Sequence, residues 1–167
     1  GVIANQRGLT EENANLRELL GLGRRLGSRF VAASVIRAGT SMSESAFVLD
    51  VGSDDGVGED VTVMTGRGLL GSVSEVGRER ANAVDWTHPN FRVSAMTMDG
   101  ETFGMVRAER SEFREADRLR LDGVPFQQRL ESGTPIVTSG LGRVHPRGIP
   151  IGTIESEVES EVGAGWR

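Results

Sequence analysis

The sequence predicts a mainly β protein, in which an N-terminal coiled-coil helix is followed by two small β-barrel-like domains. Glycine makes up 23 of the 167 residues and aromatic residues only 5%. This composition is typical of many short strands joined by tight corners. From Phe30 onward, apolar and polar residues alternate as they do in half-buried strands. Before Gly23, by contrast, apolar residues recur with the heptad period of a helix.

Residues 1–22 are predicted to form a helix that pairs with a second copy. Thr10 is a candidate N-cap, and Glu11 and Glu12 follow it in the first turn, where the helix dipole favours acidic side chains. A polar residue within a heptad seam, here Asn13, sets the register and the number of partners. The seam consists of Val2, Gln6, Leu9, Asn13, Leu16 and Leu20. Packing of an amphipathic helix against its own domain is the alternative.

The remainder of the chain is predicted to form short strands separated by turn residues, of which Asp99-Gly100 is the strongest hairpin signal. The strands are predicted near residues 30–37, 46–51, 60–65, 69–77, 82–87, 91–98, 102–108, 117–122, 135–139 and 149–157. We expect a helix and linker at 1–27, a first barrel at 28–90 and a second barrel at 91–162. Alternatively, the last strand returns to the first barrel.

Two parts of the sequence repeat one pattern: a strand, a glycine-containing corner, and a strand whose second residue is glycine. Residues 63–65 and 70–73 form the first copy. Residues 136–138 and 151–154 form the second, with a longer corner. The repetition indicates two related β units. Independent use of the same corner chemistry is the alternative.

The corner of the second copy is dense in glycine and proline, which together specify one shaped connection. Because the strands must turn sharply there, we expect a positive φ at Gly140, at Gly148 or at both. The residues of this motif are Thr138, Ser139, Gly140, Gly142, Pro146, Gly148, Pro150 and Gly152.

The sequence offers little chemistry and predicts no catalytic residue, no cofactor and no metal site. The chain lacks cysteine, and its net charge of −5 argues against a nucleic-acid binder. The acidic residues Asp54 and Asp55 lack the spacing of a calcium loop. Trp86 and Phe103 are predicted to be core residues, and Phe126 is a possible contact residue in a loop.

A degenerate or active two-barrel serine hydrolase is the alternative to a protein without catalysis, because small barrel pairs host Ser-His-Asp triads. Ser139 lacks the flanking residues of known nucleophile loops. We expect it to bond the local backbone and the ring of His145 to face solvent. We also expect no convergence of Ser139, His88, His145 and the Asp54-Asp55 pair on one cleft.

Four blocks of the sequence, in order, resemble the rod shape-determining protein MreC family. Residues 12–20 are similar to the end of the family's coiled coil, and residues 47–57 and 68–73 to two of its barrel segments. Residues 138–154 carry every fixed position of the family's T-S-G-x-G-x-x-x-P-x-G-x-P-x-G-x-[VI] run.

The resemblance implies a non-enzymatic scaffold of bacterial cell-wall elongation, the process of peptidoglycan synthesis that maintains rod shape. The implied partners are a second copy of the chain, as a homodimer or filament, together with MreB, MreD, RodA and a class B penicillin-binding transpeptidase. The implied location is the periplasmic or extracellular face of the cytoplasmic membrane. The resemblance also implies a single membrane-spanning anchor. Because the sequence has no apolar run of about 18 residues, we expect that anchor upstream of Gly1.

Overall fold

Two antiparallel sheets account for most of the part of the chain that the structure describes. The structure is a computed structural model, and it describes residues 10, 11, 13, 14, 17, 21, 30–37, 45–109, 118–125, 128–142, 145–158 and 164–166. Within these residues, no helix is long and apolar enough to cross a membrane.

The first sheet contains five strands in the order β1-β2-β5-β4-β3. Its strands are β1 (Val35–Arg37), β2 (Ala46–Leu49), β3 (Thr62–Thr65), β4 (Gly68–Val76) and β5 (Ala81–Asp85). A 3-10 turn at Ser53–Asp55 lies between β2 and β3. Alternation along these strands turns one face inward, where small and β-branched side chains fit closely. The buried core residues are Leu49, Val51, Val57, Val73, Ala81 and Ala83.

The second sheet contains seven strands in the order β10-β9-β6-β7-β8-β12-β11. They are β6 (Arg92–Thr97), β7 (Phe103–Glu109), β8 (Arg118–Val124), β9 (Pro135–Thr138), β10 (Pro150–Thr153), β11 (Glu157–Val158) and β12 (Ala164–Trp166). The buried core residues are Phe91, Val93, Ala95, Val106, Leu121, Val124, Ile136 and Ile154.

The connection between β10 and β11 requires the second sheet to curl. These strands form its opposite edges, yet only residues 154–156 separate them in sequence. A connection this short spans at most ~14 Å. Ile154 is buried in the core, and its N–H donates to Thr134 O at 3.0 Å. The two edges are therefore close in space, as in a barrel with one open seam.

The two sheets contact each other at the start of β4 and at β10. Leu69 of β4 and Trp86, which follows β5, pack against the core of the second sheet. A Cβ atom at Gly68 would lie 2.3 Å from Pro150 O, so the two backbones approach more closely than any side chain would permit.

The predicted strands correspond to the observed ones with three differences. Residues 30–34 lie outside the ladder, because their strand partner β2 ends at Leu49. Beyond the end of β2, Asp50 N donates a single bond to Ser34 O at 3.1 Å. The predicted strand at 149–157 is divided into β10 and β11, because Ile154 turns inward. β12 was not predicted, and it joins β11 to the second sheet.

The assignment of Phe103 to the core is wrong. Phe103 is 39% exposed, because β7 turns Val106 toward the core and therefore turns Phe103 and Met105 outward. Trp86 is partly buried and packs on the core, as predicted. Phe126 lies outside the described residues.

Helical backbone is present in the described part of the N-terminal segment. It is found at Thr10, Glu11, Asn13, Ala14, Arg17 and Gly21. Asn13 is exposed in the single chain. The other predicted seam residues, Val2, Gln6, Leu9, Leu16 and Leu20, lie outside the described residues, so the coiled coil stays a prediction.

Candidate protein-interaction surfaces

The glycine- and proline-rich loop between β9 and β10 is held in shape by one buried side chain, that of Thr138. The main chain of Thr138 pairs with two residues at the far end of the loop. Thr138 N donates to Ile149 O, and Gly148 N donates to Thr138 O, both at 2.8 Å. The Thr138 hydroxyl accepts from Ile149 N at 2.9 Å and donates to Pro146 O. Because Thr138 has no exposed surface, these bonds are shielded from water and close the loop firmly.

The predicted left-handed conformation is confirmed at both glycines. Gly140 has φ 73° and Gly148 has φ 92°, and Gly142, between them, has φ 84°. A Cβ atom at Gly140 would also lie 2.9 Å from Cβ of Arg147. Side chains are therefore disfavoured at Gly140 both by backbone strain and by lack of space.

Ser139 does not form a nucleophile pair with a histidine. Its hydroxyl donates to Ser94 Oγ at 2.8 Å and accepts from Leu141 N at 3.2 Å. Its predicted bond to the local backbone is thereby confirmed. His88, in a separate turn, accepts a bond from Asn90 N at 3.2 Å.

The prediction that the His145 ring faces solvent is wrong. The ring is half-buried, and its Nδ1 lies 2.8 Å from Thr62 Oγ1 at the start of β3. Burial lowers the pKa of His145, and the negative charge of Asp60 partly opposes that shift. His145 thus connects the loop of the second sheet to an edge strand of the first sheet.

The observed contacts of the acidic turn after β2 hold the turn in place. Asp55 accepts a bond from Gly52 N at 2.9 Å, and Asp54 lies 3.4 Å from an exposed Arg78. In the described ranges, no cluster of three or more histidine or acidic residues is arranged to hold a metal ion.

An exposed apolar surface lies on the outer face of the second sheet. Phe103 and Met105 share this face on β7, and Met98 follows the end of the neighbouring strand β6. Leu141 is near Met105, because Ser139 bonds both Leu141 N and Ser94, which is the cross-strand partner of Met105. We call these four residues the methionine-phenylalanine patch; their exposed fractions are 61% for Met98, 39% for Phe103, 43% for Met105 and 59% for Leu141.

Charged residues border this patch on the same face of β7 and β8. Arg107 and Arg120 each bond Asp122, at 2.5 and 2.8 Å, and Arg120 also lies 3.6 Å from Glu109. Burial opposes ionisation of Asp122, but the two arginines outweigh it and lower the pKa of this carboxyl. An apolar centre beside a charged rim is the usual arrangement of a protein-binding surface.

A cleft of about 390 Å³ opens at the junction of the two sheets. Its walls are mainly apolar, and the Arg118–Glu155 ion pair, 3.2 Å apart, lies at its rim. It is lined by Leu69, Trp86, Phe91, Arg118, Leu119, Ile151, Gly152, Thr153 and Glu155. Glu155, the one carboxylate among these residues, is paired with Arg118, and the mainly apolar walls suit an apolar side chain of a partner better than a reacting substrate.

Sequence reasoning missed the patch and the His145–Thr62 contact. The alternation in β7 indicated that Phe103 and Met105 share a face, but alternation does not say which face is inside. His145 and Thr62 are 83 residues apart in sequence, and no local pattern reports such a contact.

Known proteins are similar to this chain both in sequence and in fold. A model of the rod shape-determining protein MreC barrel core matches residues 35–165. The cell shape-determining protein MreC of Listeria monocytogenes is 33% identical over 159 residues, which cover 93% of this chain and 53% of that protein. This chain therefore spans about half the length of that relative.

Two solved structures extend the comparison. MreC from Listeria monocytogenes has a TM-score of 0.74 at 29% identity, covering 98% of this chain and 83% of that chain. MreC from Helicobacter pylori, solved in a complex with penicillin-binding protein PBP2, has a TM-score of 0.66 at 15% identity, covering 80% and 82%. The second likeness shows the fold alone. Since the family model covers most of the chain, the protein belongs to the rod shape-determining protein MreC family.

Proposed function

We propose that this chain is the barrel-bearing part of a non-enzymatic scaffold that determines cell shape by binding the transpeptidase of cell-wall elongation. The observation that carries the proposal is the family match over residues 35–165. The Helicobacter pylori relative, solved together with a penicillin-binding protein, supplies the class of partner. The absence of a Ser139–histidine pair in the described residues supports binding rather than hydrolysis.

The wider assembly belongs to the same proposal. The full-length protein is anchored in the cytoplasmic membrane upstream of Gly1 and places the barrels on the periplasmic or extracellular face. It links the transpeptidase and RodA to MreD and the MreB cytoskeleton. It self-associates through the helix that carries the heptad seam. The helix and its linker occupy residues 1–27, and the two barrels occupy residues 28–90 and 91–162. Activation follows if the scaffold binds the active form of the transpeptidase more tightly than the inactive form.

The methionine-phenylalanine patch is the surface that we assign to the transpeptidase. Methionine side chains are flexible and polarisable, which lets them adapt to an apolar partner. Large exposed apolar patches on soluble domains mark binding sites. The adjoining ion pairs of Arg107, Arg120 and Asp122 supply a polar rim that excludes water from the centre.

Two substitutions within the patch test the assignment. Phe103→Asp and Met105→Asp together should weaken binding to the extracytoplasmic part of the elongation transpeptidase from the same organism at least about tenfold, because they place charge in an apolar contact. Both residues are exposed, so the thermal unfolding midpoint should change little. Surface plasmon resonance with the immobilised transpeptidase measures the affinity.

Val61→Asp is the matched control, because Val61 is 42% exposed but lies beside the first sheet. It should leave the affinity unchanged. Equal weakening by the control would remove the patch from the interface. An unaltered parent chain that does not bind the transpeptidase at all would contradict the proposed partner itself.

A further inference from the structure

Methionine is the only sulfur-containing residue type of this chain. Cysteine is absent, and five methionines occur. Met98 and Met105 are exposed, whereas Met96 is buried and Met64 on β3 is half-buried. Met42 lies outside the described residues. Because a dissolved oxidant must reach the sulfur atom, oxidation of the described methionines should begin at Met98 and Met105.

Both of these methionines belong to the methionine-phenylalanine patch and are held there by strand pairing. Met105 is the cross-strand partner of Ser94 on β6 and of Asp122 on β8. The N–H of Met98 donates to Pro135 O at 3.1 Å. The backbone at each methionine is therefore fixed, and the exposed thioethers are part of the surface that we assign to the transpeptidase.

Oxidation makes the apolar surface of a methionine side chain polar. The sulfur attacks one oxygen of hydrogen peroxide, so that an S–O bond forms and the O–O bond breaks. The departing oxygen takes the proton of the transferred hydroxyl and leaves as water; the sulfur is oxidised and the peroxide is reduced. The sulfoxide disrupts methionine-rich contacts, because burial of its S=O group without a hydrogen-bond donor costs free energy.

We propose that Met98 and Met105 form a reversible oxidation switch, in which their conversion to sulfoxides releases the transpeptidase from the patch. This switch rests on the proposed function, because that function assigns the patch to the transpeptidase and places it on the side of the membrane that oxidants from outside the cell reach first. Methionine sulfoxide reductases, one for each sulfoxide epimer, reverse the modification. Oxidation thereby uncouples the scaffold from cell-wall synthesis until the sulfoxides are reduced.

Mild treatment of the whole chain with hydrogen peroxide tests where oxidation begins. Mass spectrometry of proteolytic peptides should detect an added oxygen atom on Met98 and on Met105 before any on Met64 or Met96. Earlier oxidation of Met64 or Met96 would overturn the assignment. Circular dichroism verifies that the oxidised chain is folded.

Surface plasmon resonance with the immobilised transpeptidase, after removal of the peroxide, tests the consequence for binding. The oxidised chain should bind at least about tenfold more weakly than the reduced chain. Incubation with both sulfoxide reductases should restore the affinity.

Two double variants separate the thioethers from every other oxidised group. Met98→Leu with Met105→Leu keeps the patch apolar and similar in volume, so it should bind like the parent before and after peroxide treatment. Met98→Gln with Met105→Gln introduces polar side chains of similar length, so it should bind as weakly as the oxidised parent without any peroxide.

The outcomes distinguish the switch from the proposed partner. An unchanged affinity after complete conversion of Met98 and Met105 would overturn the switch and leave the transpeptidase assignment intact. An equal loss of affinity in the peroxide-treated leucine variant would place the effect at other residues and would also overturn the switch. A reduced parent chain that does not bind the transpeptidase would contradict the proposed partner and the switch together.

Discussion

The β3–β4 hairpin of the first sheet and the β9–β10 hairpin of the second have the same ladder but different corners. Val63 pairs with Gly71 in the first, and Ile136 pairs with Gly152 in the second. In each hairpin the register shifts at the residue before this glycine, Leu70 or Ile151. The repeated sequence pattern thus corresponds to a repeated structure, with the bulge at the same position.

The correspondence continues beyond the ladders. Val73 N donates to Val61 O, and Asp60 N donates to Val73 O, both at 2.9 Å. The second hairpin makes the same two bonds through Ile154, with Thr134 at 3.0 Å and Gly133 at 2.7 Å. Asp60 has φ 61° and Gly133 has φ 87°, so even the left-handed residue recurs. Such detailed agreement favours two related units over independent use of one corner.

The corners differ in length, and this difference determines what each hairpin can contact. Two residues, 66 and 67, join β3 to β4, whereas residues 139–149 join β9 to β10. The short corner leaves Thr65 exposed, and the long corner covers the equivalent residue Thr138 completely. The long corner also carries His145 to Thr62, on the other hairpin. The longer corner of the β9–β10 hairpin therefore supplies the residue that contacts the β3–β4 hairpin.

The equivalent glycines give the sharpest test of this comparison. Gly71→Ala should lower the free energy of unfolding by about 3 kcal/mol or more, because β5 must move to admit a methyl group. Its Cβ would lie 1.8 Å from Val84 O. Gly152→Ala should change the free energy by no more than about 0.5 kcal/mol, because no atom lies within 4 Å of its Cβ position. Urea unfolding followed by circular dichroism measures both.

The expected asymmetry arises from position in the sheet. β4 lies between β3 and β5, whereas β10 is an edge strand. Equal decreases in the free energy of unfolding for the Gly71 and Gly152 variants would show that both glycines have equally little space around them, which would contradict this account.

The equivalent threonines test the two corners. Thr138→Val should cost about 2–4 kcal/mol, because it removes the hydroxyl that bonds Pro146 O and Ile149 N and leaves both groups buried without a partner. Thr65→Val should cost less than about 0.5 kcal/mol, since the exposed Thr65 hydroxyl only accepts a 3.3 Å bond from Arg67 N. Chemical denaturation of the two variants measures the difference. A similar small cost for both would mean that Thr138 does not hold the long corner closed.

Much of the fold was predictable because the signals for it are local. Strand alternation and turn residues determined most strand positions to within a few residues, and the glycine spacing predicted the left-handed angles at Gly140 and Gly148. β12 contains only three residues, Ala164–Trp166, which is too short for alternation to be visible.

The parts of the candidate surfaces that escaped prediction depend on distant residues. Phe103 is exposed because the second sheet turns its other face to the core, which is a property of the whole sheet. The contact of His145 with Thr62 depends on how the two repeats pack.

The pH dependence of stability tests whether His145 joins the two hairpins. Burial lowers the pKa of His145 in the folded chain, so below about pH 6.5, the ordinary value, the unfolded chain binds the proton more readily. The stability that neutral His145 contributes is therefore complete above pH 7 and is lost as the pH falls from about 7 toward the lowered pKa.

His145→Gln keeps a polar group near Thr62 but does not titrate. It should have nearly the parent unfolding midpoint at pH 7.5 and a smaller decrease than the parent between pH 7.5 and 5.5, by differential scanning calorimetry. Parallel decreases for the parent and His145→Gln would show that His145 titrates freely, and the proposed link between the hairpins would then fail.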